Sequence, residues 1–355
     1  MEEKKEKKKY RTIQWIDRLR IETLYNAGHG EQEIAGQLGF HKSSIYREIK
    51  RGKTIRRNSD WTETEIYSPD LAQQKADQNK KKKGRKLKIG KDHGFARYVE
   101  DKIIKEKHSP AAVLADIERE GKEFETHICL TTLYNYIKGG VFLNVTMAEC
   151  PYRKKKKKQR KRKVQKRANA GKSIEERPKE VLERNSVGDW EMDTVVGGQG
   201  KSKQAFLVLT ERKTRFEIVE LMKEHTAAET VRILDKLERR FTEKGFREIF
   251  RSITVDNGTE FSDTEGMERS RRNKRKRTQV YYCHAYSSWE RGSNENGNRF
   301  IRRWHPKGES LDQVTNAEAR EITDWINDYP RGMFNCKTAA DQIRGQPVAA
   351  FLLGR

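Results

Sequence analysis

The sequence predicts a multidomain chain, all-α at its N-terminal end and mixed α/β from about residue 183. Three observations carry that prediction. Apolar residues at helical spacing dominate before residue 145. Short β-branched runs of strand length take over after residue 183. Between them stand blocks of lysine and arginine, which repel themselves and serve as connectors rather than cores. The 355 residues suit two or three domains. A hydrophobic content of 34% is low for a wholly globular chain, so basic connectors dilute real cores.

Charge narrows the partners. Against 77 Lys+Arg the chain carries 53 Asp+Glu, a formal net charge of +24. A surplus of that size calls for a polyanion, and nucleic acid is the commonest. Membrane is the weaker choice, because no apolar run approaches the roughly 18 residues of a spanning helix. Met1 to Arg11 is charged rather than signal-like, so a cytoplasmic protein is expected, nucleoid-associated if its host is bacterial. Cys129, Cys150, Cys283 and Cys336 are scattered without a Cys-x-x-Cys. That usage fits a reduced compartment and argues against a disulfide framework or a structural zinc site. His127 near Cys129 lacks a second pair of ligands and reads as ordinary side chains.

Residues 1–56 read as a helix-turn-helix DNA-binding domain. Ile16, Leu19, Leu24 and Ala27 approximate one helical face, closed by Gly28 and Gly30. Ala35, Gly39 and Ile45 then follow at helix-turn-helix spacing. The small Ala lets two helices approach, Gly permits the turn, and Ile buries the second helix against the first. Around Ile45 and Ile49 the outward residues are Lys42, Ser43, Ser44, Tyr46, Arg47 and Lys50, hydroxyls and bases suited to a major groove. The plainer alternative is a helical hairpin with a solvated basic face.

Residues 57–94, holding Lys80 to Lys88, read as a basic linker. Residues 95–145 form a second, looser helix-turn-helix-like unit. It comprises Phe95 to Ile104, a helix started at Ser109-Pro110, and Leu130 to Ile137 stopped by Gly139-Gly140. Thr131, Thr132 and Tyr134 of its last helix are candidate DNA contacts. Residues 146–182 are a second basic linker, with no acid from Arg153 to Arg167. That block serves as solvated spacer, phosphate-tracking arm or nuclear-localisation signal.

The core spans 183–345, with 346–355 a tail. Trp190 to Val196, Ala205 to Thr210 and Phe216 to Leu221 predict an antiparallel meander. Thr226 to Phe241 is helical, Ile249 to Val255 is the next strand, and Val280 to His284 another. Ser293 to Trp304 is a helix with Ser293 as its cap. That order, with acids on the first and fourth strands and on a later helix, is the layout of a ribonuclease-H-like (integrase-type) fold.

The acids are Asp193, Asp256 and Glu295. Asp193 sits amid Trp and Val, where a carboxylate is costly unless bound or paired. Asp256 opens Asp-Asn-Gly, which is also a common turn. Glu295 also suits a helix N-terminus. Converging carboxylates of this kind hold two divalent ions about 3.5–4 Å apart, the arrangement for in-line displacement at phosphorus. Glu191 shares a strand face with Asp193 and reads as solvated or salt-bridged; Glu260 reads as a surface acid. Arg299 and Arg302 share a helix face with Glu295 and are candidate contacts to a bound DNA end. Trp289 reads as core.

Together these blocks resemble the IS30 family of transposases, within the superfamily of DDE transposases and retroviral integrases. The likeness covers nearly the whole chain. Tyr46 to Arg51 is similar to the family's N-terminal module; Trp190 to Val195, Asp256 to Phe261 and Ser288 to Asn296 are similar to its three catalytic blocks. Pro306-Lys307-Gly308 and Tyr329-Pro330-Arg331 resemble its C-terminal signatures. The segment Arg269 to Arg277 looks inserted, and it lengthens the stretch between Asp256 and Glu295. Spacing alone then nominates Glu290, while the Asn-Glu-Asn context favours Glu295. Thr338-Ala339 stands where the family tends to have Thr-Pro. The resemblance implies that Asp193, Asp256 and Glu295 coordinate two Mg²⁺ or Mn²⁺ ions per active site. It implies 3′-end cleavage at terminal inverted repeats and strand transfer into target DNA, by a dimer or larger assembly on double-stranded DNA. The alternatives are a DNA-binding regulator that no longer cuts, and a structure-selective nuclease.

Overall fold

The computed structural model describes residues 11–82, 86–151, 171–198, 200–284 and 287–354. The chain falls into two compact units, Met1–Leu87 and Lys88–Arg355. The basic run from Arg153 to Arg167 lies outside the described residues. Among the described residues no helix is long and apolar enough to cross a membrane.

In the first unit, α1 (Trp15–Asn26), α2 (Glu31–Leu38) and α3 (Lys42–Gly52) enclose Ile21, Ile34, Ala35, Ile45 and Ile49. The small-Ala, Gly-turn, buried-Ile logic holds for α2 and α3. It fails by a register step in α1. Ile16 is 52% exposed and Leu19 also faces outward, while Ile21 is the buried residue. The reason is ionic: Asp17 and Arg18 occupy the inner face, and Arg18 Nε donates to buried Glu48 at 2.7 Å. Apolar periodicity misses a face that is filled by paired charges.

Residues 57–82 are not a connector. β1 (Lys53–Arg57) and β2 (Glu63–Tyr67) form an antiparallel hairpin, and α4 (Pro69–Lys82) packs against α1 and α3. Tyr67 and Ala72 enter the same core, so the domain runs well past residue 56. Cross-strand ion pairs, Lys53 with Glu65 and Arg57 with Glu63, replace the apolar alternation by which strands are usually read.

In the second unit, α5 (His93–Ile104), α6 (Pro110–Glu120) and α7 (Leu130–Lys138) surround Phe95, Val99, Ile103, Val113, Leu133 and Ile137. Ser109 caps α6 by accepting from Ala112 N. The remaining elements are one mixed sheet of six strands and the helices around it. They are β3 (Lys172–Ser173), α8 (Glu180–Glu183), β4 (Asp189–Val196), β5 (Ala205–Glu211), β6 (Glu217–Met222), α9 (Ala227–Ile249) and β7 (Ser252–Val255). There follow α10 (Thr264–Glu268), β8 (Gln279–Tyr282), α11 (Gly292–Trp304), α12 (Asn316–Asp328), α13 (Ala339–Arg344) and α14 (Ala349–Leu353). Strand order is β3-β8-β7-β4-β5-β6. The meander β4-β5-β6 is antiparallel; β7 and β8 add in parallel beside β4.

Each face of the sheet carries a helical layer. Trp190, Met192, Leu207 and Leu209 pack under α9 with Leu234, Leu237 and Phe241. Val195, Phe206, Val208 and Val219 pack under α11 and α12 with Phe300, Ile301 and Ile322. The α5–α7 trio is joined to that second layer: Tyr329 Oη meets Ser109, and Trp325 Nε1 donates to the Glu106 carbonyl at 2.7 Å. The stretch expected to be a tail packs instead over its described residues, 346–354, since Val348 and Leu352 complete the α9 layer. The inserted segment is ordered and anchored: Arg277 is buried and pairs with Asp235 and Glu238 of α9.

Candidate active site

Sheet register brings two of the predicted acids together. β4 and β7 run parallel with Asp189 opposite Ser252 and Glu191 opposite Thr254. Two residues further along each chain stand Asp193 and Asp256, on the same side of neighbouring strands about 4.8 Å apart. One guanidinium lies between them: Arg291 Nη1 is 3.2 Å from Asp193 Oδ1, and Nη2 is 2.8 Å from Asp256 Oδ2. Asn298 Nδ2 donates to the other Asp193 oxygen at 2.8 Å, and Gly258 N donates to Asp256 Oδ1 at 2.9 Å. Asp193 is 22% exposed and Asp256 40%, so both open toward solvent.

Electrostatics there is finely opposed. Desolvation holds the Asp256 carboxyl above the ordinary carboxylate range; Arg291 pulls it down, and the charges of Asp193 and Glu260 add to the rise. Arg291 resists its own desolvation through the two aspartates and stays above its usual value. The oxygens of Asp193 and Asp256 are hard donors of the kind that suits Mg²⁺ or Mn²⁺, and as placed they supply part of such a donor set around the Arg291 guanidinium.

Glu295 is placed differently. It lies in the first turn of α11, its side chain 62% exposed, and pairs with Arg299 Nη2 at 2.6 Å. Asn298, three residues on and on the adjoining stripe of the helix, is the α11 residue that touches Asp193. Among the described residues, no three His, Cys, Asp or Glu side chains gather as a cation site. Glu290, the alternative by spacing, bonds His284 instead.

Of the two neighbouring acids, Glu260 departs from its expected role and Glu191 takes the salt-bridged one. Glu260 is not a surface acid: it is buried, and accepts from Thr194 Oγ1 at 2.9 Å while lying 3.0 Å from His225 Nε2. Gly258 makes that possible, because a Cβ there would fall 2.3 Å from a Glu260 oxygen. The hydrogen bond to Glu260 raises the His225 pKa. Glu260 is held below its ordinary value although desolvation pushes it up, because His225 and Thr194 bond it. Glu191 is fully buried and salt-bridged to Arg212 at 2.8 Å. It also accepts from the backbone N–H groups of Ser293 and Asn294, fastening the start of α11 to the strand that carries Asp193. Ser293 is therefore not the cap; that position is Arg291, and Ser293 sits one residue inside the helix. Further along, Gly297 lets α11 pass over Glu217, whose oxygens would lie 2.7 Å from a Cβ there. Burial pushes the Glu217 carboxyl up to about 7, against the pull of Arg331.

The DNA-binding candidates divide as well. On α3, Lys42, Tyr46, Arg47 and Lys50 are exposed, while Ser43 and Ser44 are half-buried and Arg47 Nε donates back to the Ser43 carbonyl. On α7, Thr131 is exposed, Thr132 is half-buried beside Cys129, and Tyr134 packs against the local core. Arg302 donates to the Val196 carbonyl at 2.7 Å and Arg299 to Glu295, so both are tied locally. The Trp289 side chain lies outside the described residues. Arg291, Asn298 and the Thr194–His225–Glu260 cluster were not legible as site residues. Their one sequence signal is position, with Arg291 and Asn298 each within a helical turn of Glu295.

Comparisons with known proteins identify the N-terminal module and the family. A helix-turn-helix domain model matches residues 9–52, the α1–α3 region. A probable transposase for the insertion-like sequence element IS1161 from Streptococcus salivarius is 31% identical over 337 residues, 93% of each chain. The transposase for insertion sequence element IS4351 from Bacteroides fragilis is 30% identical over 347 residues, 94% of this chain and 97% of that one. The transposase for insertion sequence element IS30A from Escherichia coli K12 is 30% identical over 179 residues, 49% of this chain and 42% of that one. The chain belongs to the IS30 family of transposases.

Proposed function

We propose that this transposase cuts and joins DNA at an integrase-type, ribonuclease-H-like site in which Asp193, Asp256 and Glu295 hold two Mg²⁺ or Mn²⁺ ions. One observation carries the reading: Asp193 and Asp256 stand side by side on parallel strands and divide a single positive charge. When bound, the ions supply Lewis-acid activation of the attacking and departing oxygens. The chain's own residues do the rest. Asn298 fixes the Asp193 carboxylate, and the Gly258 N–H fixes that of Asp256. Glu295 turns from Arg299 toward the pair to complete the donor set, a rotation its exposure permits. Glu191 keeps the start of α11 seated so that this turn has a fixed origin.

In the reaction a water oxygen bonds to phosphorus as the bond to the 3′-oxygen breaks, leaving a 3′-hydroxyl. That hydroxyl oxygen then bonds to a phosphorus of target DNA as the target's own P–O bond to its 3′-oxygen breaks, that oxygen leaving as a 3′-hydroxyl, and no covalent protein–DNA intermediate forms. The α1–α3 unit, with Lys42, Tyr46, Arg47 and Lys50 outward, binds the terminal inverted repeats, while Thr131, Arg299 and Arg302 lie along further DNA. A dimer or larger assembly brings two ends together. The test is cleavage of a duplex carrying one inverted repeat in Mg²⁺ or Mn²⁺. Wild type cuts at the 3′ end and Asp193→Asn does not; absence of metal-dependent cutting by wild type sinks the reading.

A further inference from the structure

Arg291 is held by little except the acids it separates. It closes the turn Ser288–Arg291 that leads into α11, and it is only 9% exposed. Its guanidinium bonds Asp193, Asp256 and the Met192 carbonyl, while Nε is buried with no hydrogen-bond partner among the described residues. A guanidinium with a spare buried N–H is incompletely satisfied, which is costly and favours a change of partners. We infer that Arg291 is an internal counter-ion that keeps the two aspartates occupied until divalent metal displaces it. This rests on the reading of Asp193 and Asp256 as metal ligands.

Two carboxylates this close repel one another, and a shared cation relieves that repulsion in the metal-free protein. A divalent ion needs the same oxygens, and its charge repels a guanidinium left among them, so both cannot hold the pair. Arg291 also lies four residues before Glu295 on one continuous segment. Its departure leaves the two aspartates free for the ion that Glu295 would also join. The residue acts on the aspartates by position and charge, and takes no part in bond making.

Mn²⁺ binding, followed by the loss of the free-ion electron paramagnetic resonance signal, reads this directly without DNA or turnover. Full-length wild type, Arg291→Gln, Arg291→Lys, and Asp193→Asn in each background are titrated. Arg291→Gln is expected to bind Mn²⁺ about tenfold more tightly than wild type or better. Arg291→Lys should fall between, because an ammonium lacks the fork that spans two carboxylates. In chelator, Arg291→Gln should melt below wild type, and saturating Mn²⁺ should close the gap. Affinity equal to or weaker than wild type in Arg291→Gln, with binding still abolished by Asp193→Asn, overturns the inference and leaves the metal site standing. Binding indifferent to Asp193→Asn in every background removes the site itself. If Arg291→Gln does not fold, Arg291→Lys decides on the same terms.

Discussion

Asp193 and Asp256 stand on adjacent strands and divide one guanidinium, whereas Glu295 lies on the exposed shoulder of α11 and pairs with Arg299 of its own helix. The first two are placed by sheet register, which is fixed by burial on both faces of β4 and β7. The third is placed by how a whole helix is seated. That seat is polar rather than apolar at its start: Glu191 takes the first N–H groups of α11, and Glu217 lies under Gly297. The strand-borne acids are thus preset and share one positive charge between two negative ones, while the helix-borne acid pairs within its own helix. Under the proposed two-metal reading, the difference means that loading the site would exchange cations at the strands and change a rotamer at the helix.

Neutralising each acid should separate the two kinds. Asp256→Asn and Glu295→Gln are each expected to lower 3′-end cleavage by about 10³-fold, the several kcal/mol that lost metal ligation removes. Thermal unfolding in chelator should divide them. Asp256→Asn removes the desolvated charge and the repulsion from Asp193 that hold this carboxyl above its ordinary value, so it should melt above wild type, while Glu295→Gln stays within about 0.5 kcal/mol of wild type. Equal melting temperatures for the two variants break the comparison.

Glu191→Gln tests the seat of α11. It leaves Arg212 buried beside a neutral group and weakens the bonds to Ser293 and Asn294, at a cost of about 2–3 kcal/mol. Cleavage measured well below the melting temperature should fall too, because Glu295 loses its fixed origin. Unchanged cleavage by a folded variant would mean that α11 is seated by its apolar residues alone.

Glu217→Gln gives the smallest effect at neutral pH and a defined pH dependence. A carboxyl whose folded pKa is raised to about 7 stabilises the protein fully below its unfolded value. That contribution is lost as pH rises through about 7. Wild type should therefore weaken between pH 5 and 8 by on the order of 2–3 kcal/mol relative to Glu217→Gln. Denaturant unfolding of both proteins across that range reads the difference; parallel curves contradict the assignment.

How much of this was legible follows from what each signal depends on. The meander, α9, β7 and α11 follow from local apolar runs, and the structure places them close to where those runs fall. Asp193 and Asp256 were legible because a carboxylate at the end of an apolar strand violates the pattern around it. The hairpin of β1 and β2 was not, since Lys53, Arg57, Glu63 and Glu65 pair only across strands and look like linker composition in one dimension. The inner face of α1 was misread for the same reason, Arg18 and Glu48 completing each other over thirty residues of chain. Arg291 and Glu260 carry charges that suggest solvent in a sequence, and only the fold reveals that each is enclosed beside the aspartates.

The central claim is that paired aspartates exchange an internal cation for metal while Glu295 closes from α11. Diffraction from crystals of the full chain, grown without metal and soaked in Mn²⁺, tests it most directly when data are collected at the manganese absorption edge. The account predicts anomalous peaks between Asp193 and Asp256, the Arg291 guanidinium moved off both, and Glu295 turned from Arg299 onto the ion. Peaks elsewhere, or manganese bound with Arg291 still bridging the aspartates, would contradict it.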